Sequence, residues 1–470
     1  MVEQLRISPV AGELAGRFAA AGHRLYLVGG SVRDALLGRL GNDLDFTTDA
    51  RPEQVQPILA RWTDAVWDIG IAFGTIGASK DGVTVEVTTF RADFYDRVSR
   101  NPEVRFGDSI VDDLMRRDFT VNAMAIDLST KQFIDPHGGL KALAERVLDT
   151  PAAPEESFAD DPLRLMRAAR FVSQLGFRPA PRVVAAMTAM SEQITRITPE
   201  RVQAELSKLL CGTRPGAGVE LMVGTGLADH VLPEVPAMRL EIDEHHQHKD
   251  VYQHSLVVLD QAIALEEPGS EPDLVLRLAA LLHDIGKPDT RRHIPDGGVS
   301  FHHHEVVGAK MARRRLRALR YSKEIIDDVS TLVYLHLRFH GYGRGEWTDS
   351  AVRRYVTDAG PLLSRLHKLV RADCTTRNRR KALALQRTYD ELEERIGRIA
   401  AEEDLARVRP DLDGNEIMRL LGIPPGPLVG QAWKHLKELR LDRGPLEHDD
   451  AVAELMSWAA ERGITPPAAG

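Results

Sequence analysis

The sequence predicts a multidomain α+β protein, with an α/β head followed by an all-α body. Three observations predict it. Strand-like and helix-like segments alternate as far as about Pro151. Beyond that point Ala-, Leu- and Arg-rich segments carry helical spacing, and strand signals disappear. The 470 residues are enough for about three or four domains. Shifts in composition place their boundaries near 150, 240 and 375, giving segments 1–150, 151–240, 241–375 and 376–470.

In the first segment, Leu25-Tyr26-Leu27-Val28 is a short apolar run ending at Gly29-Gly30. It predicts a buried strand entering a tight turn. Ser31 to Leu40 predicts a helix. Leu44 to Thr47 and Val83 to Thr89 predict further strands, the latter from β-branched residues in alternation. Residues 158–230 predict helices, and 241–375 predict helices rich in His and Asp. Within them, Ala264 to Asp273 carries two prolines, a glycine and several acids, and predicts a loop. Residues 376–445 predict charged helices broken at Gly422-Ile423-Pro424-Pro425-Gly426-Pro427. The tail from Thr465 is expected to fray. No repeat recurs at a period of about 20–50 residues.

Composition narrows the function. A net charge of −8 argues against a wholly basic nucleic-acid binder but permits a local basic groove. Cys211 and Cys374 are the two cysteines, too few for a disulfide framework or a Cys-rich zinc site. That fits a reducing cytosol. No apolar run of signal-peptide type follows Met1 to Arg6, and no stretch is long enough to span a membrane. A cytoplasmic protein without a membrane is the expectation. Many of the 17 histidines fall between 230 and 340.

The chemistry begins at Gly29-Gly30-Ser31-Val32-Arg33-Asp34, followed by Asp43-Leu44-Asp45. Glycines after a strand let backbone N–H groups approach a phosphate, and the next helix adds its positive end. Residues i and i+2 of a strand share a face, so Asp43 and Asp45 converge. Converging carboxylates suit Mg²⁺, a hard cation also bound by substrate phosphates. Glu86, on a neighbouring strand, is a candidate third carboxylate. Alone, Asp-x-Asp is most often a solvated or capping pair. Neither a P-loop nor a Rossmann glycine pattern is present.

These residues resemble the nucleotidyltransferase head of class II tRNA CCA-adding enzymes and bacterial poly(A) polymerases. Further blocks follow in order: Arg116-Arg117-Asp118-Phe119-Thr120-Val121-Asn122-Ala123-Met124, Asp135-Pro136-His137-Gly138-Gly139, Asp160-Asp161-Pro162-Leu163-Arg164, and Thr198-Pro199-Glu200-Arg201. The resemblance implies a polymerase β-like head on residues 1–150 and a helical neck on 151–240. It implies template-independent addition of nucleotides to an RNA 3′ end. Asp43 and Asp45 would bind Mg²⁺ and carry catalysis. Gly29, Gly30 and Ser31 would hold the triphosphate; Arg116, Asp118 and Asn122 would contact ribose and triphosphate. Arg33 and Arg167 complete the expected nucleotide-binding set with Asp161 and Arg164. The last two, three residues apart, are expected on one helix face, imitating a Watson–Crick edge toward the exocyclic amine of C or A. Asp160 stands where the family usually has Glu, which shortens that side chain by a methylene.

His254, His283-Asp284, His304, His336 and Asp373 form an ordered His/Asp series. It resembles the HD superfamily of metal-dependent phosphohydrolases, here on residues 241–375. The six would hold a divalent metal, Mg²⁺ or a transition ion, for hydrolysis of a phosphoester. His304 is preferred to its neighbours because Glu305 and Gly308-Ala309 follow it; His336 has a rival in His340. Asp411 to Glu416 is acidic but lacks EF-hand spacing.

Two basic clusters, Arg313-Arg314-Arg315 with Arg317 and Arg320, and Arg377, Arg379, Arg380 and Lys381, are candidates for RNA phosphates. The helical segment 376–470 is expected to contact tRNA. The expected partners are tRNA, CTP and ATP. Addition of CCA is the leading reading. Poly(A) synthesis, partial CC- or A-addition, an HD phosphohydrolase as main activity, and a nucleotide-sensing RNA-binding protein stay open.

Overall fold

The computed structural model describes residues 9–39, 41–63, 65–68, 71, 74–91, 106–239, 250–294, 298–339, 342, 347–375, 379–402 and 409–465. His340, Arg377 and most of the tail from Thr465 lie outside them. The chain forms two compact units, Met1–Pro233 and Glu234–Gly470.

The first unit is built on seven strands: β1 (Leu25–Val28), β2 (Asp43–Thr48), β3 (Ala65–Trp67), β4 (Thr75–Lys80), β5 (Val83–Thr89), β6 (Ala125–Asp127) and β7 (Phe133–Ile134). Their order is β3-β4-β5-β2-β1-β6-β7. Among the described strands of this sheet only the β2–β5 pair is parallel; it sets Asp45 opposite Glu86. Alternation explains the faces. Leu44, Phe46, Val85 and Val87 point into a core with Leu14 and Phe18 of helix Pro9–Ala20, leaving Asp43, Asp45 and Glu86 exposed. Full burial of each such apolar side chain contributes about 1.5–3 kcal/mol. A one-residue slip of β2 would bury the carboxylates and expose Leu44 and Phe46.

The helix expected over Ser31–Leu40 runs from Gly29 to Leu36 instead. It starts directly from β1 because Gly29 takes φ +68°, and it ends ahead of Gly38 at φ +72°. Helices Pro154–Asp160, Leu163–Leu175, Pro181–Met190, Pro199–Leu210 and Pro215–Gly224 follow. Strand pairing does not stop at 151. Val147–Leu148 pairs in parallel with Arg178–Pro179, and Arg292–Ile294 pairs antiparallel with Gly298–Ser300 in the second unit. Such pieces are too short to leave a periodic signal.

The second unit is otherwise helical among the described residues. Val251–Ala264 and Leu274–Leu282 flank the expected loop. His304–Ala318, Lys323–Leu335 and Leu363–Asp373 supply the remaining histidine-rich elements. Gly414–Leu421 and Pro427–Arg443 flank the expected break. With a further helix, His448–Glu461, they share a core of Ile417, Leu421, Leu436, Leu455 and Trp458. Asp413 caps the first of these helices and Asp411 pairs with Arg440, so this acidic stretch is structural. No described helix is long and apolar enough to cross a membrane.

Candidate active sites

Asp43, Asp45 and Glu86 stand together on adjoining strands. Desolvation raises the Asp45 carboxyl above its ordinary range; Asp43 adds to the rise, and the Arg117 guanidinium opposes it. Desolvation and then Asp45 and Asp43 raise Glu86 likewise. Three carboxylates brought together on one face form an oxygen donor set for a hard divalent cation. The Ser31 hydroxyl accepts from the Asp45 N–H at 2.9 Å and donates to the Asp43 carbonyl at 3.4 Å. It therefore fixes the backbone between the two aspartates. A Cβ on Gly29 would lie 2.7 Å from Arg117 Nη1 and 3.7 Å from Asp45 Oδ2, so only a bare backbone fits there without moving Arg117.

Beside this edge lies a cavity of about 260 Å³, lined by Thr88, Arg91, Asp113, Arg116, Arg117 and Arg164. Four guanidinium groups face one carboxylate. Burial, then the neighbouring Arg91 and Arg164, pull Arg116 down to about 10. This cationic excess makes the cavity an anion site. Thr88, Arg91, Asp113 and Arg117 line it although no sequence pattern singles them out as ligands. The motif Arg116-Arg117-Asp118 was legible as a block, but no spacing rule brings Arg91 to it.

Deeper in, Asp118 Oδ1 accepts from the Phe119 N–H at 2.8 Å and Asn122 Nδ2 at 3.0 Å, while Oδ2 accepts from Arg167 Nε at 2.7 Å. Arg33 donates to Asn122 Oδ1 at 2.6 Å and to both oxygens of Asp34. Arg167, then the Asn122 hydrogen bond, hold the Asp118 carboxyl far below the usual range against its burial. Asp135 caps helix Gly139–Glu145 through both oxygens, and a side chain at Gly139 would strike the Thr120 carbonyl.

Asp161 and Arg164 do not share a helix face. Pro162 disfavours helix in the residue before it. Asp161 is extended and ends one helix, and Arg164 lies in the first turn of the next. Asp161 caps that turn by accepting from the Leu163 N–H, and its other oxygen lies 3.4 Å from Arg201. Arg164 donates to Ser157 Oγ at 2.7 Å and the Arg116 carbonyl at 2.5 Å. Asp160 is a charge neighbour of Arg116.

In the second unit all six expected ligands meet at helix ends. His254, His283 and Asp373 form one triad; Asp284, His304 and His336 form another, with ligand atoms in each within 4.8 Å of one another. Asp284 divides its oxygens between them. Oδ2 lies 3.2 Å from His283 Nε2, and Oδ1 lies 3.2 Å from His304 Nε2. Nδ1 of His283, His304 and His336 bonds the carbonyl three residues back, at 2.8, 2.7 and 2.6 Å, turning each Nε2 inward. The inward Nε2 atoms of His304 and His336 are buried without a hydrogen-bond partner. His283 and His254 bring their Nε2 atoms to 3.3 Å. Such a nitrogen-rich cluster fits a divalent cation. Gly286 and Gly308 permit the approach, since a side chain at Gly286 would strike the His304 carbonyl. Lys287 Nζ reaches Asp284 Oδ2 at 2.6 Å. His303, the rejected neighbour, is exposed and faces Glu305.

Fold and site define a nucleotidyltransferase with a poly(A) polymerase head. Residues 25–149 match the family model "Poly A polymerase head domain", 176–238 match "Probable RNA and SrmB- binding site of polymerase A", and 251–378 match "HD domain". An A-adding tRNA nucleotidyltransferase of Deinococcus radiodurans is 33% identical over 442 residues, 93% of this chain and 95% of that protein. A CCA-adding enzyme of Anoxybacillus flavithermus is 28% identical over 439 residues, 93% of each. The structure of the Bacillus stearothermophilus CCA-adding enzyme in complex with CTP covers 97% of this chain and 99% of its own, at 26% identity and a TM-score of 0.68. The chain belongs to the class II family of CCA-adding enzymes and related tRNA nucleotidyltransferases. Both its head and HD families generally use divalent metals.

Proposed function

We propose that the protein completes the 3′ end of tRNA by adding C, C and A from CTP and ATP, without a nucleic-acid template, in the cytoplasm. The observation that carries this reading is the exposed carboxylate trio beside a four-arginine cavity. The tRNA 3′-oxygen bonds to the α-phosphorus, the α–β phosphoanhydride breaks, and pyrophosphate leaves. Asp43 and Asp45, with Glu86 alongside, would hold Mg²⁺, which when bound would neutralise the phosphates and activate the attacking hydroxyl. Arg91, Arg116 and Arg117 draw the triphosphate to the carboxylate edge and stabilise the charge that moves to pyrophosphate. Gly29 and Gly30 leave room for the phosphates, and Ser31 sets the spacing of the aspartates. Asp118, Asn122, Arg33 and Arg167 form the rigid floor under the ribose. Asp161 and Arg164 read the base edge: carboxylate accepts from the amine that C and A share, and guanidinium donates to the adjacent ring atoms. Arg164 must exchange its present Ser157 partner to do so. Two of the three relatives described are named CCA-adding enzymes, one solved with CTP, which favours CCA over A alone. The test is release of pyrophosphate from CTP that depends on a tRNA acceptor; release without acceptor, or none, rejects the reading.

A second activity is favoured by the buried His304 and His336 nitrogens turned inward beside Asp284. His254, His283, Asp284, His304, His336 and Asp373 would hold a divalent ion for hydrolysis of a phosphoester. The ion would acidify an attacking water. Residues 151–240 act as the neck, and the segment from 376 contacts tRNA. Arg314, Arg317 and Arg379 are candidates for its phosphates, whereas Arg313 and Arg315 are engaged by Asp327 and Glu234.

A further inference from the structure

The carboxylate edge has a second neighbour, on the side away from the glycine turn. Pairing registers align four residues across the sheet. Trp67 of β3 lies opposite Gly77 of β4, Gly77 opposite Glu86 of β5, and Glu86 opposite Asp45 of β2. Val66 packs against the core, so alternation puts Trp67 on the other face, which is the face of the carboxylates. Gly77 offers no side chain there, and a Cβ on it would strike the Trp67 indole. The ring therefore lies across β4 and buries Gly77. Strands in a sheet are about 4.8 Å apart, which places the indole about one spacing from Glu86 and about two from Asp45. On the opposite flank Gly29 follows β1, and a Cβ there would lie 3.7 Å from Asp45 Oδ2. The carboxylates thus stand between a glycine turn and a half-buried aromatic ring.

We propose that Trp67 is the stacking platform for the base of the RNA nucleotide that carries the attacking 3′-hydroxyl. The inference rests on the nucleotide-transfer reading above. In-line displacement brings the attacking oxygen to the α-phosphorus opposite the leaving pyrophosphate. With the phosphates at Gly29 and Gly30, the opposite flank is that of Trp67. The order across the sheet, ring then Glu86 then Asp45, matches the order base, ribose, 3′-oxygen along that nucleotide. The RNA end also changes identity as CCA is added, from the base before CCA to C and to C again. A site that read hydrogen-bonding edges would favour one of these ends. Stacking accepts all of them, because every base has a π-face.

The experiment measures kcat/KM for two RNA acceptors with CTP: a tRNA transcript ending before CCA, and the same RNA whose last ribose carries no base. The full chain is compared with its Trp67→Leu form, which keeps apolar cover over Gly77 but has no π-face, and with Trp67→Phe. Trp67→Leu is expected to lose about tenfold on the intact acceptor at unchanged KM for CTP, and less than about twofold on the abasic one. Trp67→Phe is expected to stay within about threefold of the unaltered chain on both. Equal losses on the two acceptors would make Trp67 a cover for the sheet edge and overturn the proposal, as would no loss on either. Should Trp67→Leu not fold, cross-linking of the unaltered chain decides. An acceptor ending in thiouridine, irradiated in complex, is expected to join the peptide that holds Trp67; cross-links confined to other peptides would overturn the proposal. Failure of the unaltered chain to add CTP to the intact acceptor would instead reject the nucleotide-transfer reading itself.

Discussion

The strand edge of the first unit and the helix ends of the second solve opposite electrostatic problems. Asp43, Asp45 and Glu86 are exposed carboxylates beside an excess of arginines. The site is open, polar on one face, and built for a substrate that brings its own negative charge. His283, Asp284, His304 and His336 are buried, with nitrogen lone pairs turned inward by backbone carbonyls. That cluster is closed, and its donors suit a cation. The difference teaches how each fold element is used. A strand pair offers carboxylates along a surface at the period of the pleat, where a large ligand can slide in. Converging helix ends give an enclosed pocket, with Nδ1–carbonyl bonds fixing each ring, where a small ion is held from all sides.

If the two sites work as described, they break separately. The largest effect belongs to Asp43→Ala or Asp45→Ala. Nucleotide addition measured on a tRNA transcript should fall by at least about 10³-fold at unchanged circular dichroism. Addition retained within tenfold would remove the carboxylates from the chemistry. The paired change His283→Ala/Asp284→Ala should strip the divalent metal from the second unit, read by elemental analysis after dialysis, and abolish hydrolysis of a phosphodiester probe. The same protein should still add nucleotides. Collapse of addition in the folded variant would mean that the two sites are coupled.

Smaller effects sharpen the contrast within the first site. Asp161→Ala or Arg164→Ala should cost about 1–3 kcal/mol of discrimination between CTP and UTP, with the Mg²⁺ requirement unchanged. Equal discrimination would leave base reading to other residues. Ser31→Ala should act on the aspartates rather than on the triphosphate. A lost hydrogen bond of about 1 kcal/mol predicts a few-fold lower kcat and a higher Mg²⁺ requirement at nearly constant KM for CTP. A rise in KM alone would make Ser31 a phosphate ligand.

The convergence of Asp43 and Asp45 was legible because it follows from strand periodicity, which is local, whereas Glu86 joins them through the pairing of β2 with β5. The six HD positions were legible as a series because an apolar helix running into His283-Asp284 is distinctive, and Glu305 to Gly308 singled out His304. What was not legible is what the tertiary packing decides. Arg91 reaches the cavity from the end of β5, and nothing in its local pattern separates it from a surface charge. Asp161 and Arg164 were misread for a local reason: Pro162 interrupts the helix that their spacing of three requires. Gly286 was visible only as a neighbour of the His-Asp pair, yet its missing side chain lets the His304 helix approach.

The most direct measurement gives the purified protein and Mg²⁺ three tRNA transcripts, ending before CCA, at C and at CC, with CTP, ATP or both, and resolves products to single nucleotides. Two C's and then one A are expected on the first transcript, with completion of the other two, and a stop. Addition of A to the CC transcript alone, or a long A ladder on any of them, would contradict it.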